Sequence, residues 1–184
     1  MIYVFLADGF EETEAVAPID ILRRAELDVV TVKAGGDNNK AVSSHKIEIA
    51  ADIKETEIEM NNIEMIVLPG GGAGVENLYK SETVKKTIDY CVNNGVKIGA
   101  ICAAPSILAR MGYLKGIRAT SFPSFRHYLS ENGAILEETR KVVTDGIFTT
   151  AAAAGVSVEF GLELARVLKG ANEAKKIGEQ ILFY

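Results

Sequence analysis

The sequence predicts a doubly wound α/β sandwich with a mainly parallel central sheet, and three observations carry that prediction. Strand-like runs such as "IYVFLA" (2–7) and "VKIGAI" (96–101) are rich in Val and Ile and lack polar alternation, as strands covered on both faces do. Amphipathic helical segments stand between successive strands, which is what parallel neighbours need to cross over. Three strand ends run into small or glycine residues, at Asp8-Gly9, Pro69-Gly70-Gly71-Gly72 and Cys102-Ala103-Ala104. In such a sheet ligands bind beyond the carboxyl ends of the strands, so these three ends are expected on one rim.

Each element follows from its own stretch. "IYVFLA" (2–7) is a buried strand, and "EETEAVAPIDILRRA" (11–25) an amphipathic helix with Pro18 near its start or kinking it. "DVVTVKA" (28–34) is a second strand, and "EMIVLPGGG" (64–72) a strand that runs into a glycine turn. "SETVKKTIDYCVNNG" (81–95) is a helix opened by Ser81 and stopped by Gly95. Its capping box is partial, because Val84 stands where the acid would be. "VKIGAI" is the next strand, and "APSILARMG" (104–112) a short helix. "KVVTDGIFTT" (141–150) is a hairpin around Asp145-Gly146. "SVEFGLELARVLKG" (157–170) and "ANEAKKIGEQIL" (171–182) are the last two helices.

The chain has 184 residues, 48% hydrophobic and 24% charged, which suits one globular domain spanning 1–184. A net charge of -5 argues against general affinity for nucleic acid or anionic membranes. No apolar run approaches the roughly 20 residues of a membrane span, and no basic segment precedes the first strand, so no secretory signal is expected. Two cysteines, Cys91 and Cys102, are too few and too far apart for a disulfide scaffold or a Cys-x-x-Cys metal site. A reducing cytoplasm is therefore the expected compartment, with no metal.

Cys102 carries the main signal. In Ala100-Ile101-Cys102-Ala103-Ala104 the side chains two positions to either side are alanine, the pattern of a nucleophile elbow where a strand turns sharply into a helix. Such a turn lifts the sulfur out of the sheet and aims free N–H groups at it. The ordinary fate of a free cysteine is core packing. Cys91 fits that fate, since it shares a helical stripe with Val84, Ile88 and Val92.

The glycine run 70–74 lacks the Lys-Ser/Thr of a phosphate loop. Its use would be close backbone approach, with Gly71 as an oxyanion donor, and a plain turn is the alternative. Glu11 and Glu12 are explained by the helix dipole. Glu14 shares a stripe with Pro18, Ile21 and Ala25, so it leans inward. A carboxyl buried there beside a thiolate would be pushed towards its protonated form and could donate to sulfur.

"ADGFEETEAVAPIDILRRA", "IVLPGGG", "GAICAAP" and "GVSVEFGLELARVLKG" resemble the DJ-one/ThiJ/PfpI superfamily, and its DJ-one/ThiJ branch most closely. The resemblance runs from the first strand to about Gly170. It implies a flavodoxin-like three-layer sandwich, a reactive elbow cysteine at Cys102, a buried glutamate at Glu14, and an oxyanion environment from Gly70, Gly71 and Ala103. It further implies a homodimer with Arg24 near the interface, and no cofactor. One departure stands out. Where many members carry a histidine before a proline, this chain reads "TSFP", with Phe122 in that place. His127 and His45 are left as accessory candidates, and neither matches the motif, so Cys–His proteolysis is not expected.

What the resemblance implies for activity is a cysteine-dependent enzyme acting on small reactive aldehydes or on glycated thiols and amines, glyoxalase- or deglycase-like. The competing expectation is a redox sensor or oxidative-stress chaperone that works through oxidation of Cys102. A flavin site is disfavoured by the acidic first loop and the lack of Trp, and an amidotransferase by the lack of any histidine after His127.

Overall fold

In the computed structural model, which describes all 184 residues, the chain begins with β1 (Ile2–Leu6), α1 (Glu12–Arg24) and β2 (Val29–Lys33). A small hairpin of β3 (Lys40–Val42) and β4 (Glu48–Ala50) and the two-residue β5 (Ile53–Lys54) follow. Next come β6 (Met65–Leu68), α2 (Gly72–Lys80), α3 (Glu82–Asn94), β7 (Lys97–Ile101) and α4 (Pro105–Arg110). An excursion through β8 (Arg118–Ala119), α5 (Arg126–Glu131) and β9 (Ile135–Leu136) leads to the hairpin of β10 (Val142–Asp145) and β11 (Phe148–Ala151). Helices α6 (Ser157–Lys169) and α7 (Ala171–Gln180) come last.

The central sheet has the order β10-β11-β7-β6-β1-β2-β5. All its pairings are parallel except β10 with β11. The parallel neighbours β6 and β7 pair Leu68 with Ala100, and β1 lies on the other side of β6. The three strand ends named above therefore share one rim.

Both faces of the sheet are covered, as the unbroken apolar strands require. Along β1 the side chains alternate: Tyr3 and Phe5 enter one core with Ile66, Leu68 and Ile98, while Ile2, Val4 and Leu6 enter the other with Met65, Val67 and Phe160. Burial of each such side chain contributes about 1.5–3 kcal/mol. Helices α1 and α6 pack closely through Gly161. A Cβ there would lie 2.7 Å from Ile21 Cδ1 and 3.1 Å from Pro18 Cα.

Several local expectations are refined. Pro18 lies inside α1 rather than at its start, and it has no N–H to give to the carbonyl of Glu14. Ser81 Oγ accepts the Val84 N–H at 3.1 Å, and Gly95 ends α3 with φ +68°. The hairpin pairs Asp145 with Phe148, with Gly146 at φ +60°. The glycine run is more than a turn: Gly71 caps α2, a helix with no sequence signal because glycines at its start erase both propensity and periodicity. The helix over 104–112 is shorter, Pro105–Arg110. No helix is long and apolar enough to cross a membrane.

Candidate functional site

Cys102 sits at the junction of β7 and the turn into α4, with φ +63°, a left-handed conformation that side chains rarely adopt. Its surroundings hold it there. Its N–H donates to the Ala151 carbonyl at 2.8 Å, and its own carbonyl accepts the Phe122 N–H at 2.8 Å. Ala100, Ala103 and Ala104 are all buried around it, so larger side chains would not fit the turn. The residue as a whole is partly exposed.

Glu14 reaches this sulfur from α1. It is 1% exposed, and its Oε2 accepts the Gly70 N–H at 2.9 Å. The Cys102 thiol and the Ala154 backbone lie beside its carboxyl and favour its charged form. Gly70 makes the contact possible. A Cβ at 70 would clash with Glu14 Oε2 and lie 2.7 Å from the Cys102 Cβ. Gly71, at φ +89°, is equally constrained, since a Cβ there would strike the Gly9 carbonyl and lie 2.8 Å from the Glu11 nitrogen.

The electrostatics follow from this burial. Desolvation, with the negative charge of Glu11 adding to it, raises the Glu14 pKa to about 7, against the lowering effect of its hydrogen bonds. Desolvation, the charge on Glu14 and the hydrogen bond to it push the Cys102 thiol up to about 12. Backbone N–H groups of Gly71 and Ala103, beside the sulfur, pull the other way. At neutral pH the thiol therefore keeps its proton while Glu14 stands near its midpoint, so the carboxyl is the group able to accept a proton from sulfur. Cys91 is also pushed up to about 12, by burial alone. It is fully buried, with no such partners.

The structure thus brings Cys102, Glu14, Gly70, Gly71 and Ala103 together, with one difference from the sequence reading. The Gly70 N–H is committed to Glu14, so it orients the carboxyl, while Gly71 and Ala103 face the sulfur. Sequence reading missed Ala154, whose backbone reaches Glu14 from the loop before α6; a run of alanines carries no signal of that contact.

The histidines are not part of this contact set. His45 is exposed, and its Nδ1 lies 2.8 Å from Glu12 Oε1 and 3.3 Å from Ser44 Oγ. Glu11, Glu12 and His45 offer three ligand atoms within 4.8 Å of one another, on the open rim. Glu11 is already engaged as the cap that accepts the Glu14 N–H at 2.8 Å. His127 is exposed on α5 and stacks on Tyr128, with ring centroids 4.1 Å apart. Arg24 lies at the far end of α1, exposed and paired with Asp20 at 2.7 Å, beside a cleft lined by Ala17, Ile21, Val158 and Phe183.

A parallel three-layer sandwich with a cysteine on a strained strand–helix elbow, met by a buried carboxyl, defines a flavodoxin-like protein with an elbow cysteine. The chain belongs to the DJ-1/PfpI family, whose family model matches residues 1–167. It is similar to Protein DJ-1 homolog B of Arabidopsis thaliana, 36% identical over 182 residues, 98% of this chain and 41% of that protein. The chain thus spans less than half the length of that relative. It is also similar to dj-1beta of Drosophila melanogaster, 33% identical over 180 residues, 97% of this chain and 95% of that one. Among solved structures, the Drosophila DJ-1beta crystal structure matches with a TM-score of 0.93 at 31% identity, covering 98% of this chain and 96% of that one. Oxidized Toxoplasma gondii DJ-1 matches with 0.91 at 30%, covering 98% and 97%.

Proposed function

We propose that the chain is a cysteine-dependent enzyme acting on small α-oxoaldehydes and related glycated groups, glyoxalase- or deglycase-like. The observation that carries this reading is the contact of Cys102 with a carboxyl whose pKa is raised to about 7. A base with that pKa can take and return protons at neutral pH.

In this reading Cys102 sulfur bonds to the aldehyde carbon as its proton passes to Glu14. The new oxyanion is held by N–H donors of Gly71 and Ala103 and then protonated, giving a hemithioacetal. Glu14 next removes the proton on that carbon and returns one to the neighbouring carbonyl carbon. The product is a thioester of the 2-hydroxy acid. Water cleaves it and frees the thiol, so the net change is addition of one water, with no external oxidant. A reducing compartment such as the cytoplasm suits a chemistry that needs a free thiol.

The test is turnover of methylglyoxal to lactate, followed by proton NMR. Cys102→Ser is expected to abolish it and Glu14→Gln to lower it by about a hundredfold or more, while His127→Ala keeps most of it. Wild-type protein without measurable turnover would sink the reading. The second reading is a redox sensor or chaperone. It is favoured by the same geometry, because protonated Glu14 and the two N–H groups could equally hold a sulfinate oxygen. A homodimer, with Arg24 at or near its interface, belongs to either reading.

A further inference from the structure

Phe122 is an exposed ring on a rigid piece of backbone beside Cys102. Its N–H donates to the Cys102 carbonyl at 2.8 Å, and its own carbonyl accepts the Phe125 N–H at 2.8 Å. Pro123 follows and restricts Phe122 to its observed extended conformation, φ −58° and ψ 138°. Both ends of the residue are fixed, yet the side chain is 41% exposed and belongs to neither core. A phenyl ring in water forgoes the stabilisation of burial. On a fixed backbone it loses little further freedom when a ligand covers it.

The backbone hydrogen bond makes Phe122 an immediate neighbour of Cys102 at the elbow. A substituent on a molecule bonded to the sulfur is then within reach of the ring. The charges beside the sulfur are acidic: Glu14 touches it, and Glu11 acts on Glu14. Arg126, the arginine of the Phe122 segment, is tied to the Ser121 and Glu138 carbonyls at 3.3 and 2.9 Å.

We propose, resting on the carbonyl-directed reading above, that Phe122 is the wall against which the substrate's side group packs. The site then takes uncharged α-oxoaldehydes with an apolar, above all aromatic, substituent and disfavours aldehydes bearing carboxylate or phosphate. Apolar packing discriminates by about 10- to 200-fold per group removed, and stacked rings add to that.

The first measurement is kcat/KM for phenylglyoxal over methylglyoxal in wild type, Phe122→Leu and Phe122→Ala. The ratio is expected to fall about tenfold or more in Phe122→Ala, and by less in Phe122→Leu, which keeps an apolar side chain. The leucine variant also carries the test if the alanine variant folds poorly. A ratio unchanged by either substitution overturns the proposal. The second measurement needs no turnover: alkylation rates of Cys102 by N-benzyl- and N-methyl-iodoacetamide, read by mass spectrometry on its peptide. A benzyl preference that falls in Phe122→Ala while no aldehyde is turned over by any variant sinks the enzymatic reading and leaves the wall as a site for apolar electrophiles. A benzyl preference indifferent to residue 122 overturns the wall, whatever the aldehyde rates.

Discussion

The N–H of Gly70 donates to Glu14 Oε2 at 2.9 Å, joining residues 56 positions apart. That bond orients the carboxyl towards Cys102, and the missing side chain at Gly70 leaves room for the two groups to touch. Gly70→Ala is expected to force Glu14 and Cys102 apart and to cost about 1–3 kcal/mol of stability, as overpacking does. Denaturant midpoints and methylglyoxal rates would check both. A variant with wild-type stability and rate would show that the contact is looser than its geometry.

Glu14 should give the protein a pH dependence of definite sign. Its folded pKa, about 7, lies above its ordinary 4.5, so the folded state holds the proton more tightly than the unfolded one. The stability from this group is full below about pH 4.5 and is lost as pH rises through about 7. The loss is about 3 kcal/mol, from roughly 1.4 kcal/mol per pKa unit. Glu14→Gln cannot ionise and should therefore gain on wild type between pH 5 and pH 8. Unfolding curves at the two pH values decide this, and parallel losses in both proteins would contradict it.

The same ionisation governs the proposed chemistry in the opposite direction. Glu14 must be a carboxylate to accept the thiol proton, so kcat/KM for methylglyoxal should rise with pH around a midpoint near 7. A flat profile from pH 6 to 8 would remove Glu14 from the proton transfer.

Cys102 is expected to oxidise before Cys91, because the residue is partly exposed with backbone N–H groups beside its sulfur, while Cys91 is fully buried. Graded peroxide followed by peptide mass spectrometry should find sulfinate on the peptide holding Cys102. Equal modification of both cysteines would contradict the assignment.

The exposed face of α1, with Val16 at 48% exposure and the Arg24–Asp20 pair, suits a self-association surface. Sedimentation at micromolar concentration should show twice the 19.8 kDa chain mass. Only the single-chain species would count against the dimer.

The elbow at Cys102 and the parallel sheet are legible in the sequence because both depend on residues close together. Small side chains two positions either side of the cysteine permit the turn, and unbroken apolar strands imply cover on both faces. The stripe of Glu14 with Pro18, Ile21 and Ala25 reads correctly as a buried face. By contrast, α2 is hidden by its glycines, and the β3–β4 hairpin and the β8–β9 pair lie where no periodic pattern was read. Only the tertiary structure decided that Gly70 serves Glu14 rather than the sulfur, that Ala154 joins them, and that the two histidines stay outside this contact set. Those outcomes depend on distances between segments far apart in the chain. The packing of α1 against α6, β1 and β2 sets those distances, and no local pattern records them.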